Sequence, residues 1–353
     1  MSTDLGIPRV RTVSAQHVAQ DTGGPLVDGH GRLHRDLRVS LTDRCNLRCT
    51  YCMPADGVPW TPTPELLTTD ELLRIVDVAV SAGITEVRLT GGEPLLRPDI
   101  VDVVRGIASM TGESGPVEVS MTTNALRLPR LAQPLKDAGL TRVNISLDTL
   151  RSERFAAMSR RDRFEDTMTG IAAAEAAGFE PIKLNTVLLR GVNDDEAVDL
   201  TRWAIERGYE LRFIEQMPLD GGHVWQRSEM ITGAEILAWL GEAFELTEVP
   251  GRGAAPAERF LVDGGPATVG VIASVTMPFC GACDRLRLTA DGQLRSCLFA
   301  RDETDLRTPL RDGSSEEEIT ALIHSCLAGK RPGHGIDEPG FLQPPRPMSA
   351  IGG

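Results

Sequence analysis

Apolar and polar residues alternate with a period of two in six short stretches of the chain. These predicted strands cover residues 36–42, 85–90, 117–123, 142–148, 181–189 and 210–215. Longer amphipathic stretches lie between them and predict helices, for example over residues 69–82, 97–109, 163–177 and 194–207. Because strands and helices alternate, we expect a parallel sheet covered by helices. Six units are fewer than the eight of a closed barrel, so the pattern predicts an α/β fold with an incomplete (β/α)₆ barrel of the TIM type.

The two faces of the predicted strands differ in polarity. One face is apolar, whereas the other carries four basic residues, namely Arg38, Arg88, Lys183 and Arg212. Parallel strands that are buried on both faces are normally apolar on both, so the polar face should line a concave interior. The basic side chains could be neutralised by Glu118 and Asp148, or could extend to solvent. The alternative is an anionic ligand that bears phosphates.

The alternation stops after residue 217, which divides the chain into regions. We expect a core over residues 36–250 and a C-terminal region over residues 251–330, with helices at 231–244 and 315–327 and strands at 260–262 and 268–274. Residues 1–35 show no sustained period and are expected to form a mobile extension. Residues 331–353 are rich in proline and glycine and are expected to form a flexible tail.

Composition and charge exclude several classes of protein. The chain of 353 residues has 41% hydrophobic residues, and 37 basic against 50 acidic residues give a net charge of −13. An acidic body repels a phosphate backbone, which disfavours broad nucleic-acid binding. We find no apolar run long enough to span a membrane and no signal peptide before residue 36. The seven cysteines are therefore expected in the reducing cytoplasm, where metal binding or catalysis is their usual role.

Six of the seven cysteines form two groups of three. The first group has C-x3-C-x2-C spacing and the second has C-x2-C-x13-C spacing; their members are Cys45, Cys49 and Cys52, and Cys280, Cys283 and Cys297. Structural zinc would need a fourth ligand, for instance His34 or His223. Three thiolates instead suit an iron–sulfur cluster with one iron that lacks a protein ligand. Cys326 stands alone, and an inert buried thiol is its default interpretation.

The motif TGGEP, residues 90–94, ends the second predicted strand. Glycines at this edge of a β/α sheet allow the backbone to approach a ligand closely. A tight turn is the simpler interpretation of the motif when it is taken alone.

C-x3-C-x2-C followed by GGEP on a β/α scaffold resembles the radical S-adenosylmethionine superfamily. Further motifs, in order, resemble the GTP 3′,8-cyclase family: MTTNALRL, LRFIEQMPL, PFCGACDRLRLTADGQLRSCLF and the terminal IGG. The resemblance extends from about residue 36 to residue 353. It implies a partial barrel of the radical S-adenosylmethionine kind, with a C-terminal α+β extension that carries a second iron–sulfur cluster.

The resemblance also implies roles for individual residues. Cys45, Cys49 and Cys52 would hold a [4Fe–4S] cluster that binds S-adenosylmethionine, and Cys280, Cys283 and Cys297 would hold a second one. Tyr51, Gly92, Ser146 and Met217 would contact S-adenosylmethionine. Arg38, Arg88, Thr122, Lys183, Arg212, Arg285 and Arg287 would bind GTP. Arg285, Arg287, Gly352 and Gly353 would take part in catalysis.

The implied reaction converts GTP to 3′,8-cyclo-7,8-dihydro-GTP, the first step of molybdenum cofactor biosynthesis. The implied partners are a second copy of the chain in a homodimer, a reducing electron donor, and a cyclic pyranopterin monophosphate synthase that receives the product. Two alternatives stay open. One is another radical enzyme with an auxiliary cluster, such as a peptide-modifying enzyme. The other is a zinc-stabilised nucleotide-binding protein without turnover.

Overall fold

A twelve-stranded sheet runs through residues 24–352, the part of the chain that the computed structural model describes. The six predicted strands are present as β1 (Asp36–Ser40), β2 (Glu86–Thr90), β3 (Glu118–Thr123), β4 (Arg142–Ser146), β5 (Lys183–Val187) and β6 (Glu210–Ile214). They lie side by side in chain order, and each pairs in parallel with the next. The predicted parallel sheet is therefore confirmed.

Helices connect these strands and cover their apolar face. They are α1 (Thr69–Ser81), α2 (Ile100–Ala108), α3 (Leu128–Asp137), α4 (Ser152–Ser159), α5 (Phe164–Ala176) and α6 (Ala197–Glu206). The helix α1 begins with a capping box, in which the Thr68 hydroxyl and the Glu71 carboxylate each accept from the other residue's backbone N–H. Apolar strand residues such as Val39, Leu89 and Val119 are fully buried beneath the helices. Within residues 24–352 no helix is long and apolar enough to cross a membrane.

The C-terminal region extends the same sheet at both edges. Its elements are α7 (Gly233–Gly241), β7 (Leu246–Val249), β8 (Glu258–Val262), β9 (Thr268–Ile272), β10 (Arg285–Leu288), β11 (Gln293–Arg295), β12 (Thr304–Asp305), α8 (Arg307–Arg311), α9 (Glu316–Ala328) and α10 (Met348–Ile351). β10 pairs in parallel with β1, and β9 pairs in parallel with β6. The order is β12-β11-β10-β1-β2-β3-β4-β5-β6-β9-β8-β7. The α+β extension thus supplies two further parallel strands to the six of the barrel.

The segment before β1 packs against the body of the protein from Leu26 onward. Leu26 and His34 are fully buried, and an isolated bridge joins Val27 to Leu33. The packed structure therefore begins earlier than the predicted boundary at residue 36, because Leu26 adds an apolar side chain to the core. The first 23 residues of the expected extension, and the terminal Gly353, lie outside the described residues.

The expected flexible tail also packs, since it returns to the interior of the barrel. Ile351 is fully buried and Gly352 is buried beside it. Gly352 lies so close to β2 that a Cβ atom there would overlap the hydroxyl of Thr90. The tail therefore ends among the residues that the sequence assigns to the site.

Candidate active site

Two adjoining cavities occupy the interior of the barrel, and each contains one group of three cysteines. The first has a volume of about 180 Å³ and the second about 260 Å³. The residues common to both linings are Tyr51, Thr122, Ser146, Asp148 and Met348. The hydroxyl of Tyr51 donates to Oδ2 of Asp148 at 2.8 Å within this shared wall. The arrangement would hold two ligands next to each other.

The first cysteine group lies in the loop after β1 and lines the first cavity. Two arginines fix the loop through its carbonyl groups: Arg48 Nη1 donates to the Cys45 oxygen at 2.7 Å, and Arg160 Nη1 donates to the Met53 oxygen at 2.8 Å. Burial raises the pKa of Cys45 to about 11 and that of Cys52 to about 12. Buried thiols of this kind ionise when they bind a cationic metal centre, so the residues fit an iron–sulfur cluster.

The two glycines of TGGEP hold the turn after β2 against the first cysteine loop. Gly92 N–H donates to the Thr42 oxygen at 2.7 Å, and a Cβ atom at Gly92 would overlap the Arg44 carbonyl. Gly91 adopts a φ of 143°, a conformation that other residues rarely reach. The glycines therefore allow this turn to pack closely against the protein's own backbone. Gly92 also lines the first cavity.

Glu93 of the same motif joins the turn after β2 to the end of β3. Its carboxylate accepts from the Thr123 hydroxyl at 2.7 Å and from the Asn124 N–H at 2.8 Å. Burial raises its pKa to about 7. Asn124 in turn donates to Oδ1 of Asn46, inside the first cysteine loop, at 2.7 Å. Sequence reasoning assigned no role to Glu93, although its place in TGGEP was the available signal.

The second cysteine group flanks the hairpin of β10 and β11 and lines the second cavity. Lys330 Nζ lies 3.6 Å from Cys283 Sγ and donates to the Arg285 oxygen at 2.7 Å. Burial raises the pKa of Cys283, but the charges of Arg285 and Lys330 outweigh it and lower the pKa to about 7. Arg32 Nη1 donates to the Cys280 oxygen at 2.7 Å. The charges of Arg285 and Lys330 thus favour the thiolate of Cys283, the form that binds iron, whereas burial raises the pKa of Cys280.

The structure does not support the zinc alternative for the cysteines. Nδ1 of His34 lies 3.3 Å from the Leu26 oxygen, and His223 is exposed, so neither joins a cysteine group. In the described part of the chain no three His, Cys, Asp or Glu side chains converge on one metal ion. A [4Fe–4S] cluster needs no such convergence, because each cysteine binds its own iron. Three separate thiols around a cavity therefore fit a cluster better than a single ion.

Three arginines form a row across neighbouring strands on the polar face. The strand register places Arg38 of β1 beside Arg287 of β10 on one side and Arg88 of β2 on the other. The prediction that Arg287 and Arg285 face one side of a short strand agrees with β10. Burial and the nearby charge of Arg88 hold the pKa of Arg38 well below its usual range. Like charges placed side by side are unfavourable unless an anion lies between them.

Two more arginines complete the basic lining of the second cavity. Arg212 Nη2 donates to Asn144 Oδ1 at 2.6 Å, and its Nε finds no acceptor among residues 24–352. Burial and the charge of Arg88 lower the pKa of Arg212 to about 9. The guanidinium of Arg285 lies 4.8 Å from the ring centroid of Phe279. All five arginines, Arg38, Arg88, Arg212, Arg285 and Arg287, line this cavity.

The acidic residues expected to neutralise this face have other partners. Glu118 pairs with Arg142, and Asp148 accepts from the Tyr51 hydroxyl and the Val187 N–H. Among the described residues, a carboxylate lies within 4 Å of only two of the five arginines: Asp36 is 3.7 Å from Arg38, and Asp284 is 4.0 Å from Arg285. The second cavity therefore keeps an excess of positive charge.

The remaining predicted site residues differ in which of the two cavities they line. Tyr51, Ser146 and Thr122 line both cavities, whereas Met217 lines the second cavity and not the first. Lys183 stands at the start of β5, where its Nζ pairs with Glu210 Oε2 at 2.9 Å, and it lines neither cavity. The alternation of residues along a strand shows on which face a side chain lies, but not how deep in the barrel it lies. For this reason Lys183 could not be separated from the deeper arginines by sequence.

The C-terminal tail enters both cavities. Met348 and Ser349 line the first cavity, and the Gly352 carbonyl accepts a hydrogen bond from Arg287. The tail thus contacts Arg287, a predicted GTP contact, and the catalytic role expected of Gly352 stays a prediction. The second glycine of that prediction, Gly353, lies outside the described residues.

Comparison with known families divides the chain into two matched segments. Residues 39–204 match the family described as Radical SAM superfamily, and residues 209–336 match the family described as Molybdenum Cofactor Synthesis C. The boundary between them falls just before β6.

Two curated relatives cover almost the whole chain. A GTP 3′,8-cyclase of Streptomyces coelicolor is 59% identical over 331 residues, which are 93% of this chain and 96% of the relative. A GTP 3′,8-cyclase of Mycobacterium sp. strain KMS is 53% identical over 354 residues, with 99% of each chain covered. Among solved structures, Streptococcus suis SuiB matches with a TM-score of 0.55 at 14% identity, covering 87% of this chain and 68% of that chain. That likeness concerns the fold alone.

Proposed function

Because this chain belongs to the GTP 3′,8-cyclase family of radical S-adenosylmethionine enzymes, we propose that its second cavity binds GTP through the five arginines. The enzyme converts GTP to 3′,8-cyclo-7,8-dihydro-GTP in molybdenum cofactor biosynthesis. It uses two [4Fe–4S] clusters and S-adenosylmethionine. The peptide-modifying alternative is not favoured, since the curated relatives described above are GTP 3′,8-cyclases over nearly their full length.

The excess of positive charge in the second cavity carries the assignment of the GTP site. Burial and repulsion between arginines disfavour the charged forms of Arg38 and Arg287, which lie in the row with Arg88 and face this interior. A triphosphate would relieve this repulsion, and the planar guanidinium fork matches phosphate oxygens. The protein as a whole has a net charge of −13, so it repels a negatively charged nucleotide at long range. Binding therefore depends on this local basic lining rather than on the overall field.

The two cysteine groups hold the clusters in this proposal, and the cavities position the reactants. When bound, the first cluster and S-adenosylmethionine would supply the radical chemistry that removes a hydrogen atom from the GTP ribose. Tyr51, Gly92 and Ser146 of the first cavity would contact S-adenosylmethionine, and so would Met217, which lines the second cavity. The residues that line both cavities place the GTP ribose next to S-adenosylmethionine, and the surrounding barrel excludes water from the reaction. Gly352, whose carbonyl accepts from Arg287, takes part in catalysis from the tail, and the same role is expected for Gly353.

Several finer features belong to the proposal as well. A homodimer, a reducing electron donor and a cyclic pyranopterin monophosphate synthase as the next enzyme are expected from the family. A cytoplasmic location is expected too, because the seven cysteines are free and two clusters need a reducing compartment.

The nucleotide specificity of radical formation tests the substrate assignment. We expect the reduced, reconstituted enzyme to form 5′-deoxyadenosine with GTP well above the rate with ATP, CTP or UTP, and to consume GTP in step. The assay is anaerobic chromatography of the nucleosides. Equal slow rates with all four nucleotides would leave the radical core intact and remove GTP as the substrate.

Arg212→Gln tests the basic lining itself. Since hydrogen bonds to charged groups contribute about 1.5–3 kcal/mol, we expect GTP affinity to fall roughly 10- to 100-fold with iron content unchanged. Calorimetric titration with GTP measures the affinity. The matched control is Arg105→Gln, which removes an exposed arginine paired with Asp102 on α2. Equal GTP affinity in the two variants would contradict the proposal.

A further inference from the structure

One arginine of the C-terminal tail makes a two-pronged ion pair inside the protein. Arg346 Nη1 donates to Asp291 Oδ1 at 3.0 Å, and Nη2 donates to Asp291 Oδ2 at 2.8 Å. Its Nε lies 2.9 Å from Glu303 Oε1. The side chains of Arg346, Asp291 and Glu303 are 23%, 14% and 3% exposed. This geometry is bidentate and largely shielded from solvent, which distinguishes it from an ordinary surface ion pair.

Of the two residues that Arg346 binds, Asp291 belongs to the hairpin that carries two of the cavity arginines, and Glu303 is paired with it. Asp291 lies in the turn between β10 and β11, and β10 supplies Arg285 and Arg287. Glu303 is held in turn by Arg295, a fully buried residue of β11. The tail also meets β10 itself, where the Gly352 carbonyl accepts from Arg287. The hairpin is therefore contacted by the tail at its turn and at its strand.

The tail crosses the active site between these two contacts. Met348 N–H donates to the Leu219 oxygen at 2.9 Å, just after β6. Ser349 lines the first cavity together with Cys52. The helix α10 is a single turn, too short to hold this path by itself. The preceding residues 331–347 contain no helix or strand in the described part of the chain, so contacts with the rest of the protein determine where the turn lies.

We propose that Arg346 is a positioning residue that anchors the tail to the β10–β11 turn and so holds Gly352 against Arg287. This inference rests on the proposed role of the terminal glycines in catalysis for its effect on turnover, but not for its effect on the tail. We infer specifically that the bidentate ion pair of Arg346 with Asp291, and not the apolar burial of Ile351 alone, keeps the tail inside the barrel. The test must therefore read the position of the tail separately from activity.

The experiment uses the full-length, reconstituted enzyme with Arg346→Gln and with the double variant Asp291→Asn/Arg346→Gln. The double variant removes the pair without leaving the Asp291 charge buried and unpaired, so it guards against misfolding. Hydrogen exchange of the amides of residues 348–352, followed by mass spectrometry, reports the tail. We expect exchange to accelerate about tenfold or more, equivalent to about 1.4 kcal/mol. We expect turnover to fall by a similar factor, with GTP affinity unchanged within about twofold.

The control is Arg331→Gln, which breaks an exposed pair with Glu338 in the same tail. Exchange at residues 348–352 that matches this control in both Arg346 variants would overturn the proposal. Arg346→Lys keeps the charge but loses the fork, so partial restoration of slow exchange supports the bidentate anchor. Fast exchange with normal turnover would still support the anchor, and it would count against the catalytic role of the tail instead.

Discussion

At the scale of single residues, close backbone packing and buried hydrogen bonds hold the first cysteine loop in place. Gly92 sits where any Cβ would overlap the Arg44 carbonyl, and Glu93 accepts from backbone and side chain on β3. The loop that carries Cys45, Cys49 and Cys52 is thus fixed from the neighbouring strand. Such contacts decide whether three thiols stay at the spacing that a cluster requires.

Gly92→Ala tests this dependence. Because the new methyl group displaces the backbone of residues 43 and 44, we expect loss of the first cluster and of S-adenosylmethionine cleavage. The iron content should fall to about half, since the second cluster is held elsewhere. Iron analysis after anaerobic reconstitution measures it. Gly241→Ala at the end of α7 is the control, since a Cβ there meets nothing within 4 Å; full iron loading of both variants would refute the expectation.

At the scale of elements, the segment before β1 is a structural part of the second cysteine site. Arg32 bonds the Cys280 carbonyl and also the carbonyl oxygens of Arg331 and Pro332, so this segment ties the cysteine loop to the start of the tail. Its own shape depends on Asp28, which accepts from Arg32 Nε at 2.6 Å. His34 lies behind this pair, fully buried, with Nε2 3.6 Å from Asp28.

The burial of His34 predicts how this segment responds to acid. Burial and the charge of Lys330 lower the pKa of His34 from 6.5 to about 4. Between pH 6.5 and 4 the unfolded chain therefore binds a proton that the folded chain excludes, so stability falls as the pH is lowered through this window. We expect urea unfolding of the cluster-free protein to lose more stability between pH 7.5 and 5 than the His34→Gln variant does. Identical pH dependence in the unsubstituted protein and the His34→Gln variant would contradict the prediction.

At the scale of the whole molecule, the C-terminal region completes the barrel rather than forming a separate unit. β10 covers the edge of β1 and β9 covers the edge of β6, so both edges of the six-stranded core are paired. Leu286, Val269 and Val271 of these strands are buried in the main apolar core. The two segments matched to separate families therefore share one sheet and one core.

Removal of the C-terminal region should expose both edges. We expect a fragment of residues 1–242 to aggregate, because β1 and β6 would present unpaired backbone groups and lose the apolar cover of β10 and β9. Size-exclusion chromatography of the soluble fraction measures this. Co-expression with residues 243–353 should restore a soluble complex. A stable, monomeric fragment on its own would show that the core does not need the C-terminal strands.

Much of the protein could be read from the chain because the relevant signals are local. The alternation that predicted β1 to β6 arises because successive side chains on a strand point to opposite faces, and each strand records this in its own residues. The same alternation placed Arg38, Arg88 and Arg212 on the inner face. The spacing of Cys45, Cys49 and Cys52 and of TGGEP is equally local, so the resemblance to the family rests on short motifs.

The tertiary structure alone decided how distant segments meet. Alternation gives the face of Lys183 but not its depth, so only the sheet register shows that it pairs with Glu210 away from the cavities. The pairing of β10 with β1 brings Arg287 next to Arg38 across more than two hundred residues of chain. Likewise, no periodic pattern marks Leu26, His34 or the tail from Arg346 to Gly352. Contacts with many parts of the folded core determine where they lie. Local patterns encode elements and faces, whereas register, depth and the course of irregular segments depend on packing against residues far away in sequence.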